Sequence, residues 1–298
     1  MNILITGGTG LIGKALVAKL QPQHQLTVLS RDKEKVTKIF GDSVAAIERL
    51  DDLPHLNDFD AVINLAGEPI ADKRWSEQQK GIICTSRWGL TEKLVEKIHA
   101  SSTPPHTFIS GSAVGYYGDQ QDHTFDETLV VHADDFAQHV CHQWEKIALK
   151  GASQQTRVCL LRTGVVLSAE GGALKRMMLP YQLGLGGPIG KGQQYMPWIH
   201  IDDMVAAIIH LLDSPSLQGP FNCTAPEPVT NKRFSQALAS ALKRPHLFFV
   251  PTVAIKAMMG EASHLLLDSQ RALPHALEDS GFTFQHPKVE EAMQSLFK

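Results

Sequence analysis

The sequence predicts an α/β protein: a Rossmann-type doubly wound parallel sheet with a smaller C-terminal substrate lobe. Three observations carry this. Short, near-continuous apolar runs alternate with longer helical stretches up to about Ser168. A glycine cluster, Gly7-Gly8-Thr9-Gly10-Leu11-Ile12-Gly13, joins the first apolar run directly to a helical one. After Ser168 that rhythm gives way to glycine, proline and short helical segments. Strands covered on both faces read as unbroken apolar runs, and intervening helices supply the crossovers that parallel pairing needs.

In chain order, strand segments fall at Asn2–Thr6, Gln25–Leu29, 61–65 (AVINL), 106–110 (HTFIS) and from Arg157 (RVCLLRTG). Helical patterns include Leu16 to Leu20, 76–100 and 132–150. Residues 184–192, GLGGPIGKG, hold five glycines and a proline and read as a flexible loop or lid. A helix is expected over 201–212 and a further sheet strand at Gly219–Cys223. The expected division is 1–168 plus about 201–226 as the dinucleotide-binding unit, with about 169–200 and 227–298 as the substrate lobe. A chain of 298 residues suits that plan, at roughly 150 residues per unit.

Composition narrows the function classes. Charged residues are 20% and hydrophobic ones 43%, which argues against both disorder and a bilayer span. Lys and Arg number 28 against 31 Asp and Glu, a net charge of −3, so no global field recruits nucleic acid or anionic lipid. Cys84, Cys141, Cys159 and Cys223 form no CxxC pair, and no metal site is expected. The N-terminus MNILITGG lacks a basic n-region, so a cytoplasmic protein with a small-molecule substrate and neither nucleic-acid nor membrane partner is expected. The oligomeric state is left open.

The glycine cluster satisfies GxxGxxG from Gly7 and GxGxxG from Gly8. Glycine lets the chain turn tightly and brings backbone N–H groups against a pyrophosphate at a helix N-terminus. Gly7, Thr9, Gly10, Leu11, Ile12 and Gly13 are the expected pyrophosphate ligands. Gly8 to Lys14 also fits the front of a P-loop, but Ala15 replaces the hydroxyl residue that would meet Mg²⁺. The second strand ends in Ser30 and Arg31, a hydroxyl and a guanidinium suited to the 2′-phosphate of NADP(H). Asp32, one position later, keeps NAD open.

TGGTGLIG at the start, VINLAGE from Val62 and ISGSAVGYYG from Ile109 resemble the extended, sugar-nucleotide-epimerase-like branch of the short-chain dehydrogenase/reductase superfamily. LGLGGPIGKGQQYMPWIHIDD, GEASHLLLDSQRALPHAL and GFTFQHP look like the YfcH-type proteins of the NAD-dependent epimerase/dehydratase family, an atypical subgroup, over essentially the whole chain. With NADP(H) the cofactor expected from Ser30 and Arg31, the resemblance puts Leu65, Ala66 and Gly67 along the adenosine and ribose side and Val166 near the nicotinamide. It implies a catalytic serine at Ser112, but no YxxxK exists in the sequence. Alignment on Glu145 puts Cys141 at the lysine position and Ala137 at the tyrosine position, while Arg87 stands where the branch usually has asparagine. Cys141 is thus either catalytic or a packing or ribose contact, and Arg87 either a cofactor ligand or a helix ion pair. Tyr116 or Tyr117 is a candidate replacement phenol. His200 and Asp202 form either a dyad or part of a helix N-cap, and His139 and His142 read as a solvated helix face. Two functions follow: an NADP(H)-dependent epimerase-like oxidoreductase on a small molecule such as a nucleotide sugar, or a non-catalytic NADP(H)-binding redox sensor or regulator, some family members carrying a cell-division-inhibitor label.

Overall fold

A computed structural model describes residues 1–297. Seven strands form its main sheet: β1 (Asn2–Thr6), β2 (Gln25–Leu29), β3 (Val44–Ile47), β4 (Ala61–Asn64), β5 (Thr107–Ala113), β6 (Arg157–Thr163) and β7 (Gly219–Cys223). Their order is β7-β6-β5-β4-β1-β2-β3, and every neighbouring pair is parallel. The chain leaves β1 toward β2 and β3, then returns to place β4 on the other side. The switch point of the fold therefore lies between β1 and β4, where open α/β sheets bind ligands. Only β3 is missing from the sequence patterns. Its VAAI is short, alanine-rich and half-exposed at the edge, so it gives little apolar signal.

Period-two side chains explain the two covered faces. Ile3 and Ile5 of β1 enter one core with Leu16 and Val17 of α1 (Leu11–Leu20) and Ile208 and Leu211 of α6 (Ile201–Asp213). Leu4, between them, enters the opposite core with Leu94 and Ile98 of α3 (Glu77–His99) and Ala148 of α4 (Phe136–Leu149). The same alternation separates Phe108 from Ile109 and Leu160 from Leu161. Helix starts follow side-chain chemistry. Ser76 caps α3, and Asp135 with Gln138 forms a reciprocal capping box at α4, which begins later than the apolar pattern alone suggests.

A further core lies beyond the sheet. Leu174 and Tyr181 of α5 (Gly172–Gln182), Trp198, and Phe234 and Leu238 of α7 (Asn231–Ala241) pack with Val289 and Met293 of the C-terminal helix. Leu277, Phe282 and Phe284 return instead to the sheet core, so the late segments divide between the two cores. Among the described residues no helix is long and apolar enough to cross a membrane.

Candidate cofactor and active site

The glycine turn sits at the switch point. Gly7 has φ +70°, and a Cβ there would lie 2.7 Å from the Leu65 carbonyl carbon. A Cβ at Gly13 would lie 2.2 Å from the Gly7 carbonyl oxygen, so glycine lets α1 seat directly on the turn. Gly10 differs: beyond the Gly7 carbonyl oxygen at 3.1 Å, nothing lies within 4 Å of its Cβ position. Gly10 caps α1 without a side chain, and the first turn contains no acidic residue. The Leu11, Ile12 and Gly13 amides, like that of Thr9, have no protein acceptor among the described residues. By contrast α2 (Lys33–Phe40), α3, α4, α6 and α7 are each capped by a side chain. Free amides at the positive end of a helix dipole beside an open glycine suit an anion.

At the end of β2 the neighbours of Arg31 are engaged. Asp32 caps α2, accepting from the Lys35 amide at 2.9 Å. Ser30 Oγ donates to the Asp32 carbonyl at 3.0 Å. Arg31 is exposed, and no hydrogen bond or ion pair holds its guanidinium among the described residues.

Across the crevice the main chain after β4 is fixed from below. Thr6 Oγ1 donates to Asn64 Oδ1 at 2.6 Å and accepts the Ala66 amide at 3.2 Å. Asn64 Nδ2 and Trp144 Nε1 both donate to Thr91 Oγ1, which donates to the Arg87 carbonyl. Arg87 Nη1 donates to the Glu68 and Ile83 carbonyls at 3.0 and 3.2 Å. Its guanidinium lies 5.3 Å from the Trp144 ring centroid, and a Cβ at Gly67 would approach it to 3.0 Å. Gly67 thus lets the arginine pass close to the Leu65-Ala66-Gly67 backbone. Burial lowers the Arg87 pKa, and its Coulomb partners are Cys141, Cys84 and Glu68. Among the described residues no carboxylate lies within ion-pair distance of it, so the helix ion-pair reading does not describe it.

Ser112 opens onto a buried polar chain. Its Oγ donates to Glu145 Oε1 at 2.7 Å, and Glu145 meets Arg162 through two parallel bonds of 2.9 Å. Arg162 also donates to Tyr117 Oη at 2.9 Å and lies 3.6 Å from the Tyr116 ring centroid. Tyr117 Oη donates to Asn222 Oδ1 at 2.7 Å. Burial works against the Arg162 charge, but hydrogen bonding and attraction from Glu145 and Tyr117 outweigh it and raise the pKa. The Tyr117 phenol is pushed up to about 12 by burial and is fully enclosed, which corrects the expectation that it replaces the missing tyrosine. The Cys141 thiol, packed with Val114, Tyr116 and Phe125, is likewise pushed up to about 12, by burial and then by Glu145. Burial therefore favours the neutral thiol over the thiolate that a base role would need. Val166 is half-buried on the short strand Val165–Leu167, which pairs with Trp198–His200 at the junction of sheet and lobe.

His200, His139 and His142 each contact other side chains of the fold. His200 caps α6, its Nδ1 accepting the Asp202 amide at 3.1 Å while Nε2 meets Ser295 Oγ at 3.2 Å. The cap is thus His200 itself; Asp203 is wholly buried and accepts from the Gln285 and His286 amides. His200, Asp202 and His286 bring potential ligand atoms within 4.8 Å of one another, but both His200 nitrogens are already engaged. His142 stacks on Tyr116 and His139 meets the edge of Trp88. Glu145, Arg162, Thr91 and Asn222 are marked in the sequence only as polar residues inside largely apolar runs, Glu145 also by its place in the family alignment.

A switch-point cradle of free amides, a glycine-lined crevice and a serine at the end of β5 define a Rossmann-type protein of the extended short-chain dehydrogenase/reductase class. Residues 3–223 match the model of the NAD dependent epimerase/dehydratase family, and residues 250–296 match a domain of unknown function. The chain belongs to the NAD-dependent epimerase/dehydratase family. It is 38% identical over 301 residues to an epimerase family protein of Staphylococcus haemolyticus, covering 99% of this chain and 98% of that one. It is 39% identical over 305 residues to the chloroplastic epimerase family protein SDR39U1 homolog of Arabidopsis thaliana, covering 100% and 87%. The crystal structure of human epimerase family protein SDR39U1 (isoform 2) with NADPH superposes with a TM-score of 0.91 at 33% identity, covering 99% of both chains.

Proposed function

We propose that this chain is an NADP(H)-binding, epimerase-like oxidoreductase acting on a small molecule, with nucleotide sugars the first substrate class to test. One observation carries the reading. The α1 amides are free and face an open glycine, while at the end of β2 Asp32 is engaged as a cap and Arg31 is unpaired. NAD preference needs a free carboxylate at that strand end, and NADP preference needs a free cation. The human relative solved with NADPH supports the same assignment.

In this reading the Thr9, Leu11, Ile12 and Gly13 amides hold the pyrophosphate, with Gly7 and Gly10 admitting it. Ser30 and Arg31 hold the 2′-phosphate. The Leu65-Ala66-Gly67 backbone borders the adenosine and ribose, Arg87 supplies the positive charge that Cys141 lacks, and Val166 borders the nicotinamide. The bound nicotinamide would supply hydride transfer. Ser112 has its one proton committed to Glu145, so it receives a substrate hydroxyl as an acceptor rather than donating to a carbonyl. That same bond favours the second reading, a non-catalytic NADP(H) sensor. The test is a screen of nucleotide sugars and small carbonyls in which NADPH absorbance reads net reduction and product chromatography reads epimerisation, which returns the hydride and leaves absorbance unchanged. Turnover that disappears in Ser112→Ala supports the enzyme; tight NADPH binding without turnover on any member supports the sensor.

A further inference from the structure

The lobe presents an exposed apolar face. Leu183 and Leu185 at the start of the glycine-rich lid, Leu247, Phe248 and Phe249 in the following strap, and Val253 on α8 (Thr252–Met259) are all exposed. These segments are contiguous. The Val250 amide donates to the Pro188 carbonyl and the Gly190 amide to the Val250 carbonyl, each at 2.8 Å. The Lys232 amide at the start of α7 donates to the Gly192 carbonyl at 2.9 Å, and α8 follows the strap directly. Ile255 is the one fully buried residue of α8, so most of this helix faces solvent.

Charge is segregated onto the same segments. Residues 171–201 and 228–260 contain eight Lys or Arg and no Asp or Glu, in a chain whose net charge is −3. Arg176 pairs with Asp72, and Arg233 with Glu227 and Glu290. Lys175, Lys191, Lys232, Lys243, Arg244 and Lys256 are exposed and have no acidic partner among the described residues. The whole-chain charge of −3, one of the grounds for expecting no membrane partner, does not describe this lobe.

Three occupants suit an exposed apolar face, and the geometry separates them. A second copy of the chain, related by a twofold axis, would set these cations against one another. A folded protein partner is recognised best through pockets that enclose its anchors, yet Leu247 is 82% exposed and Leu183 and Val253 are 75% exposed, so they protrude. A bilayer accepts protruding Leu and Phe between its headgroups, and anionic headgroups pair with exposed cations such as Lys243 and Arg244, which lead into Leu247 of the strap. We propose that this face, formed by the lid, the strap and α8, docks the protein on an anionic lipid bilayer surface.

The test is co-sedimentation of the full chain with vesicles of phosphatidylcholine alone or mixed with phosphatidylglycerol. Binding is expected only to the anionic vesicles and falls as salt rises. Lys243→Glu combined with Arg244→Glu is expected to weaken it by more than about tenfold, since each cation near the surface contributes roughly fivefold. Phe248→Ser with Phe249→Ser is expected to abolish it while NADPH affinity is unchanged. Phe248→Trp is expected to shift its emission to shorter wavelength on anionic vesicles; that readout decides alone should the serine pair misfold. No sedimentation, or sedimentation without the emission shift, overturns the proposal. So does a dimer in sedimentation velocity that the serine pair dissolves, which assigns the face to a second copy, or preference for polyglutamate over vesicles, which assigns it to an acidic protein.

Discussion

At the residue scale, the proposed preference for NADP(H) rests on Arg31. A charge-assisted contact to phosphate contributes about 1.5–3 kcal/mol. Arg31→Ala is therefore expected to weaken NADPH binding by roughly 10- to 100-fold and leave NADH binding nearly unchanged, as read by calorimetry. Equal losses for both nucleotides would remove Arg31 from the 2′-phosphate. A second residue, His200, sets a pH limit. Burial, and then repulsion from His286, lowers its pKa from 6.5 to about 4. A depressed histidine is neutral in the folded state and protonates more readily once unfolded. Its contribution is present above pH 6.5 and is lost as pH falls from 6.5 to about 4, in total about 3 kcal/mol. His200→Gln should flatten the denaturation midpoint against pH across that window, and an unchanged slope would exclude His200 as its origin.

At the element scale, the junction of β1 and α1 leaves no room at Gly13. Gly13→Ala puts a methyl against the Gly7 carbonyl and must tilt α1 away from the turn, at a cost of about 1–3 kcal/mol. Urea midpoints should fall, and NADPH affinity should fall with them because the amides move together. Gly10→Ala is expected to differ, since the site of its Cβ is open apart from one carbonyl. Folding should survive while nucleotide binding is lost. Equal behaviour of the two variants would contradict a division into one seating glycine and one ligand-facing glycine.

At the scale of the whole molecule, one buried polar chain ties the parts together. Ser112 on β5, Glu145 on α4, Arg162 on β6, Tyr117 and Asn222 on β7 are linked in series. Asn222 Nδ2 continues to the Leu273 carbonyl, and Glu127 joins the Asn222 amide to the Ala276 amide. Arg162→Met strands Glu145 without its partner and should cost about 3–5 kcal/mol in chemical denaturation. Replacing Arg162 and Glu145 together with Met and Gln should cost less than the sum of the single changes, because the unpaired charge disappears.

The sheet apart from its edge strand β3, the longer helices and the nucleotide turn were determined locally. Apolar runs, helical periodicity and Gly7-Gly8-Thr9-Gly10 each act within a few residues, so their signals survive in one dimension. Tertiary structure decided what Asp32, Cys141, Tyr117 and His200 do. Their roles depend on a helix start, an enclosing core, an Arg162 distant in sequence, and a C-terminal segment folded back over α6. A side chain's hydrogen-bond partners and its pKa are set by atoms brought close in space, and no spacing along the chain encodes those distances.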